Sequence, residues 1–200
     1  MLNKKKCQLM IYSILLLIIF TYPIDMKAES KDTLDLFKDV TLTEVSEYDG
    51  ISDEMRSDLD NMYSYYFKVR DDLANNNSES ARLNTQQLFD AAEKINSYRN
   101  PLWMEQESNM NDYRKRFDNA TSIEDQRSLF NDYSNTLIDF IQAYGLPGNT
   151  VYVMESQNAL QGSNGIWLND GTNSLNPYGM NGDLPYNTSV LRGWKFEKIK

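Results

Sequence analysis

Seven apolar residues, Ile51, Met55, Leu59, Met62, Tyr66, Val69 and Leu73, follow one another at steps of 4, 4, 3, 4, 3 and 4. On a helix those steps keep one face apolar for about six turns. No strand, whose side chains alternate every two residues, accommodates that spacing. Asn75, Asn76 and Asn77 end the pattern, because asparagine tolerates left-handed backbone and competes for local hydrogen bonds. Tyr63, Tyr65 and Phe67 thicken this helix, either as core-edge rings or as a surface on which a ligand stacks.

Three further stripes follow. Ser78 or Ser80 can cap a second helix whose buried face holds Ala81, Leu88, Ala92, Ile95 and Tyr98, and Asn100-Pro101 stops it. A third helix starts near Pro101, a residue accepted in a first turn. It carries Trp103, Met110, Tyr113 and Phe117. Thr121-Ser122-Ile123-Glu124 then has the form of a capping box. The fourth stripe is Ile123, Phe130, Tyr133, Leu137, Ile141 and Tyr144, with Gly145 and Pro147 closing it. Each helix has one apolar face, so none is stable alone and the four must share a core. The expectation is a mainly α chain with an up-down four-helix bundle over residues 51–146.

Residues 147–200 read differently. Val151-Tyr152-Val153 is β-prone. From Gln157 to Ser189 the chain is rich in Asn, Gly, Ser and Pro, which favour turns, and large side chains punctuate the tail at Ile166-Trp167-Leu168, Tyr178, Leu184, Tyr186, Leu191 and Trp194. This predicts an irregular, short-strand tail packed on the bundle as part of the same domain, with Asn158 and Ala159 in a turn. Residues 29–50 are acidic and weakly periodic, which predicts a linker or arm.

The first 28 residues have the layout of a secretory signal peptide. Lys4, Lys5 and Lys6 precede an apolar run, residues 9–20, and Ala28 offers a cleavage site. The run is shorter than the roughly 20 residues that span a bilayer. The expected location is the periplasm, with membrane contact only through an uncleaved segment. Cleavage would remove Lys4, Lys5, Lys6, Lys27 and Asp25. It would take 20 basic and 29 acidic residues to 16 and 28, a net charge of −12. Such a surface disfavours nucleic acid as a partner. Cys7 lies within the segment and the chain has no histidine. A cleaved chain thus lacks Ser-His and Cys nucleophile systems and His/Cys metal sites. No cofactor is expected, nor a metal site. Glu155, Asp170 and Asp183 are the carboxylates a hydrolase would draw on, but acids are too common here for a pair to point to catalysis, and no enzyme is expected.

Several ordered pieces resemble the periplasmic helical-bundle domain of unknown function of Gram-negative bacteria. That domain also occurs fused to the adaptor (membrane-fusion) subunits of heavy-metal efflux pumps. The pieces are Tyr66-Phe67 before Asp71-Asp72-Leu73-Ala74, residues 123–130 (IEDQRSLF), Leu137-Ile138 before Ala143-Tyr144-Gly145, Tyr152-Val153, Gly165 with Trp167-Leu168, and Asn176-Pro177-Tyr178-Gly179. The resemblance implies a Cys-Pro-Met-Ala segment where this chain has Ser156, Gln157, Asn158 and Ala159, and a second cysteine where it has Arg192. In relatives such a pair would hold a soft ion or form a disulfide; here both sulfurs are absent. What remains as a ligand-binding candidate is Met154, Glu155, Ser156, Trp167, Tyr178 and Met180, with Trp167 either anchoring the tail or stacking on a ligand. The functional expectation is a non-catalytic binding or accessory protein, tied by resemblance to heavy-metal efflux or envelope homeostasis. Its partners would be a protein or small ligand, efflux-pump components among them. The alternative is a protein-interaction or small-ligand-binding bundle without a metal role, with Tyr63, Tyr65 and Trp103 as an exposed aromatic patch.

Overall fold

The computed structural model describes residues 36–46, 50–145, 150–171, 175–179 and 188–197. The expected signal segment, residues 1–28, lies outside them, as do Met180, Asp183, Leu184 and Tyr186. The described chain is mainly helical, with a four-stranded sheet. Its elements are β1 (Leu42–Ser46), α1 (Asp53–Ala74), α2 (Ser78–Asn96), α3 (Pro101–Asp118), α4 (Ile123–Tyr144), β2 (Thr150–Leu160), β3 (Ser163–Asn169) and β4 (Thr188–Glu197).

Helix starts are set by side-chain oxygens that take up free N–H groups. Ser52 accepts from Met55 N at 3.2 Å, Asn77 from Ser80 N at 3.2 Å and Ser122 from Asp125 N at 3.0 Å. Two expected caps therefore move: α2 is capped by Asn77 and not by Ser78 or Ser80, and α4 by Ser122 and not by Thr121. Ser78 and Thr121 each lie one residue from the capping position, and Ser80 supplies the N–H that Asn77 accepts. The stops after α1 and α4 follow the expected chemistry, whereas α2 ends at Asn96, before the expected Asn100-Pro101. Asn76 is left-handed, with φ 56°, and Gly145, with φ 78°, returns its N–H to Ile141 O at 2.7 Å.

Helices consecutive in sequence pack against one another, and α1 and α2 also touch α4. Every residue of the first stripe is buried, as are Ala81, Leu88, Ala92, Ile95, Trp103, Met110, Phe117, Phe130, Tyr133, Leu137 and Ile141. Rings mesh between helices: Tyr66 stacks on Phe130 with centroids 4.9 Å apart, Phe89 meets Phe117 at 5.8 Å, and Trp103 meets Phe140 edge-on at 4.9 Å. The expected exposed aromatic patch does not form. Tyr63 and Trp103 are buried, and only Tyr65 keeps partial exposure, with the Lys68 ammonium 4.5 Å from its ring centre.

The tail is more regular than expected. Its strands run 11, 7 and 10 residues and join a sheet of order β1-β4-β2-β3. β2 pairs antiparallel with β3 and β4. The β2–β3 connection is a two-residue turn, Gln161-Gly162, with φ of 49° and 95°. Positive φ at both positions suits the right-handed twist of a hairpin. Asn158 and Ala159 lie within β2, at an irregularity between Ser156 and Leu160, and not in a turn; Asn158 takes φ 56° there. Within the expected arm, residues 42–46 form β1, which runs parallel to β4.

Candidate functional site

The sheet meets the helices along β3. This is an edge strand, and its outward backbone groups need partners from outside the sheet. Helix side chains supply them. Asn131 Oδ1 on α4 accepts from Ile166 N at 2.7 Å, and the Tyr66 hydroxyl on α1 accepts from Leu168 N at 3.0 Å. Tyr178 donates its O–H to Ile166 O at 2.6 Å. Tyr66 also lies 2.7 Å from Ser134 Oγ, and Ser134 Oγ lies 2.7 Å from Phe130 O. A carbonyl only accepts, so the Ser134 proton points to Phe130 O and the Tyr66 proton to Ser134. The result is a directed chain from Leu168 N–H through two hydroxyls to the backbone of α4. Burial pushes the Tyr66 phenol up to about 12, with its bonds to Leu168 and Ser134 and the nearby Arg70 charge opposing.

Two buried arginines fasten the ends of this joint. Arg70, 1% exposed, binds Asp71 Oδ1 through Nε at 2.8 Å and Nη2 at 2.7 Å. Its Nη1 reaches Asn169 Oδ1 at 3.0 Å and Asp170 Oδ1 at 3.3 Å, and its guanidinium lies over the Phe67 ring at 4.9 Å. Arg127 on α4 donates from Nε to Pro177 O at 2.7 Å. Its Nη2 donates to Leu73 O, Asn76 Oδ1 and Gly179 O at 2.8, 2.8 and 3.0 Å. It therefore closes the last turn of α1 and holds the 177–179 turn with one side chain, a placement the negative end of a helix favours. Burial lowers its pKa from the usual guanidinium value, against the pull of Glu124.

The candidate ligand residues fall within or beside this joint. Met154 faces Trp167 across the β2–β3 ladder, and Ser156 faces Gly165. Trp167 meets Tyr178 edge-on at 5.7 Å, and Tyr178 lies 6.4 Å from Phe130. A Cβ on Gly165 would come within 2.4 Å of the Tyr178 ring, so the absence of a side chain there makes room for the ring. Met154, Ser156, Trp167 and Tyr178 are all buried. Glu155, on the opposite pleat, is partly exposed and accepts from Asn164 Nδ2 at 2.8 Å. Asp170, considered above as a catalytic carboxylate, is paired with Arg70. Among the described residues no group of three His, Cys, Asp or Glu side chains is placed to hold a metal ion.

Ser156 and Arg192, the positions that the resemblance aligns with cysteines, are not neighbours. Arg192 faces Val153 and Ser156 faces Thr188. Three residues along a strand put them about 10 Å apart. The ladder is irregular between them, at Val153/Met154, and Ser156 is buried whereas Arg192 is exposed. Cysteines at these two sites could not bridge without backbone movement.

Sequence reasoning missed Arg70, Asn131, Ser134 and Asn169. Arg127 belongs to the segment of residues 123–130, which by itself assigns it no role. The one available signal was position: Arg70 and Ser134 lie one helical step from the stripe residues Tyr66 and Phe130, on faces that a stripe-only reading assigns to the core. A family model described as a protein of unknown function (DUF3347) matches residues 62–148. No curated protein and no solved structure matches the chain. The segment that runs from the second half of α1 to the end of α4 is similar to that domain of unknown function.

Proposed function

We propose that this is a non-catalytic, secreted binding or accessory protein of the periplasm, and that it acts through its outer surface. The observation that carries this reading is the burial of Met154, Ser156, Trp167 and Tyr178 in the joint between β3 and the helices. Four of the candidate ligand-binding side chains are thus enclosed, while Glu155 stays partly exposed. An up-down arrangement of α1 to α4 is part of the reading, supported by the packing of consecutive helices through short connections. A link to heavy-metal efflux or envelope homeostasis rests on the resemblance alone. The separation of Ser156 and Arg192 favours the version without a metal role: a protein-interaction or ligand-binding scaffold.

Native mass spectrometry of the secreted chain with Cu(I), Cu(II), Zn and Ca tests this. The account expects the metal-free mass throughout, and a one-to-one metal complex at micromolar concentration would overturn the metal-free version. The same spectrum reports the N-terminus, expected at Glu29. A mass that retains residues 1–28 would contradict the secreted assignment.

A further inference from the structure

The sheet treats its two sides differently. β3 is closed by helix side chains, whereas β4 receives the chain's own arm. β1 takes β4 as its sole strand partner among the described residues, in parallel register from Leu42 opposite Gly193 to Ser46 opposite Glu197. Six residues separate its end from the start of α1. Its side chains are seated individually. A Cβ on Gly193 would stand 2.7 Å from Leu42 Cδ2 and 3.0 Å from the Tyr152 ring, so Gly193 floors a socket for Leu42 with Tyr152 as its wall. The Glu44 carboxylate lies 3.7 Å from the Lys195 ammonium, and Val45 is half-buried. Phe37 also meets Tyr152, with ring centroids 4.5 Å apart. The ladders among β4, β2 and β3, and the joint of β3 with the helices, do not use β1.

We propose that the β4 edge is an exchangeable dock for an extended segment, and that its second occupant is the β1 arm, residues 42–46, of another copy of this chain. The arm of a second copy carries Leu42, Glu44 and Val45 at the same spacing, so every contact made in cis can be made in trans. The choice between the two is then set by concentration against the effective concentration of the tethered arm. Exchange of an identical element in this way is a low-cost route to a dimer. The inference concerns a surface remote from the joint and does not depend on the proposed function.

The test uses the full chain with Cys7→Ser. Glu44 and Lys195 face each other in the ladder and are both accessible, so cysteines there report the pairing. One batch carries Glu44→Cys and a second, differently tagged, carries Lys195→Cys. They are mixed and oxidised gently. Met104→Cys mixed with Lys195→Cys measures chance collision, because Met104 is exposed on α3. A chain carrying both Glu44→Cys and Lys195→Cys checks the register. The expected result is an intrachain disulfide in the double variant, together with a mixed disulfide dimer several-fold above the collision control. The dimer yield should rise with protein up to a concentration on the order of a millimolar. Cross-linking within the double variant but never above control between chains would show β1 to be a fixed strand and overturn the proposal. Failure in the double variant would overturn it through the register itself.

Discussion

The helix core and the β3 joint bury side chains of similar size by different means. Between helices, Leu59, Leu88, Phe130 and Leu137 fill space beside other apolar groups, and the driving force scales with area and lacks direction. At the joint, the buried groups include two arginines, Tyr66, Ser134, Asn169 and the backbone of an edge strand. The contribution of such groups depends on how many of their polar atoms are met, and here the arginines, Tyr66 and Ser134 are bonded while Asn169 Nδ2 is buried without a partner. The first region tolerates a change of residue that conserves volume, and the second tolerates little change in geometry.

This difference orders the expected effects of substitution. The largest belong to the core: Leu59→Ala and Leu137→Ala should each cost about 2–5 kcal/mol in urea unfolding, as truncation of fully buried leucines does. Losses of a few tenths would place both residues outside a packed core. At the joint, Gly165→Val should displace the Tyr178 ring and cost about 1–3 kcal/mol, as overpacking does. A neutral result would mean that Tyr178 does not rest on Gly165. Tyr66→Phe keeps the ring and deletes the hydroxyl, leaving Leu168 N–H and Ser134 short of a partner, for about 1–3 kcal/mol.

Tyr66 also sharpens the comparison through pH. A tyrosine in the unfolded chain ionises near 10, and in the folded chain Tyr66 does so at about 12. Between those values the unfolded state has lost a proton that the folded state retains. The stability contributed by neutral Tyr66 is therefore fully present below pH 10 and is lost as pH rises towards 12, by roughly 3 kcal/mol over the window. Burial raises Tyr133 and Tyr178 in the same direction. Urea titrations between pH 9 and 11 should show a falling midpoint, with a shallower fall in Tyr66→Phe. A flat profile would contradict burial of these phenols. The smallest effect is expected at the surface. Arg116 pairs with Asp132 at 2.9 Å, with both side chains substantially exposed. Arg116→Ala should change stability by less than about 1 kcal/mol, and less still in high salt.

The two regions were also unequally legible. Period alone identified α1 to α4, because a stripe such as Ile51 to Leu73 encodes its own burial. The stops at Asn76 and Gly145 followed from backbone preference. The strands of the tail were hidden for local reasons. Gln161-Gly162 lacks the usual Asn-Gly signal for a hairpin, and the irregularity at Asn158 breaks the alternation of β2. β1 sits in an acidic stretch whose pairing with β4 spans about 150 residues, a relation no local pattern carries. The joint was hidden because its partners are distant in sequence: Tyr66 and Leu168 are 102 residues apart, Arg70 and Asn169 are 99 apart. In the sequence Met154, Trp167 and Tyr178 stand out only as candidate ligand-binding residues of a polar tail. That Trp167 meets Tyr178, and that Arg127 holds the turn on either side of Tyr178, required the fold.

The central claim is that helix side chains close the β3 edge, and amide hydrogen exchange at Ile166 and Leu168 tests it residue by residue. On an open edge these outward amides would exchange with water at rates close to those of exposed loops. Bonded to Asn131 Oδ1 and the Tyr66 hydroxyl, they should be protected to the level of the interior of α4. Tyr66→Phe should then lower the protection of Leu168 by about tenfold, the equivalent of one lost hydrogen bond, and leave Ile166 little changed. Rapid exchange of both amides in the unmodified protein would contradict the account, because it would leave the β3 edge open and Met154, Trp167 and Tyr178 available to a ligand.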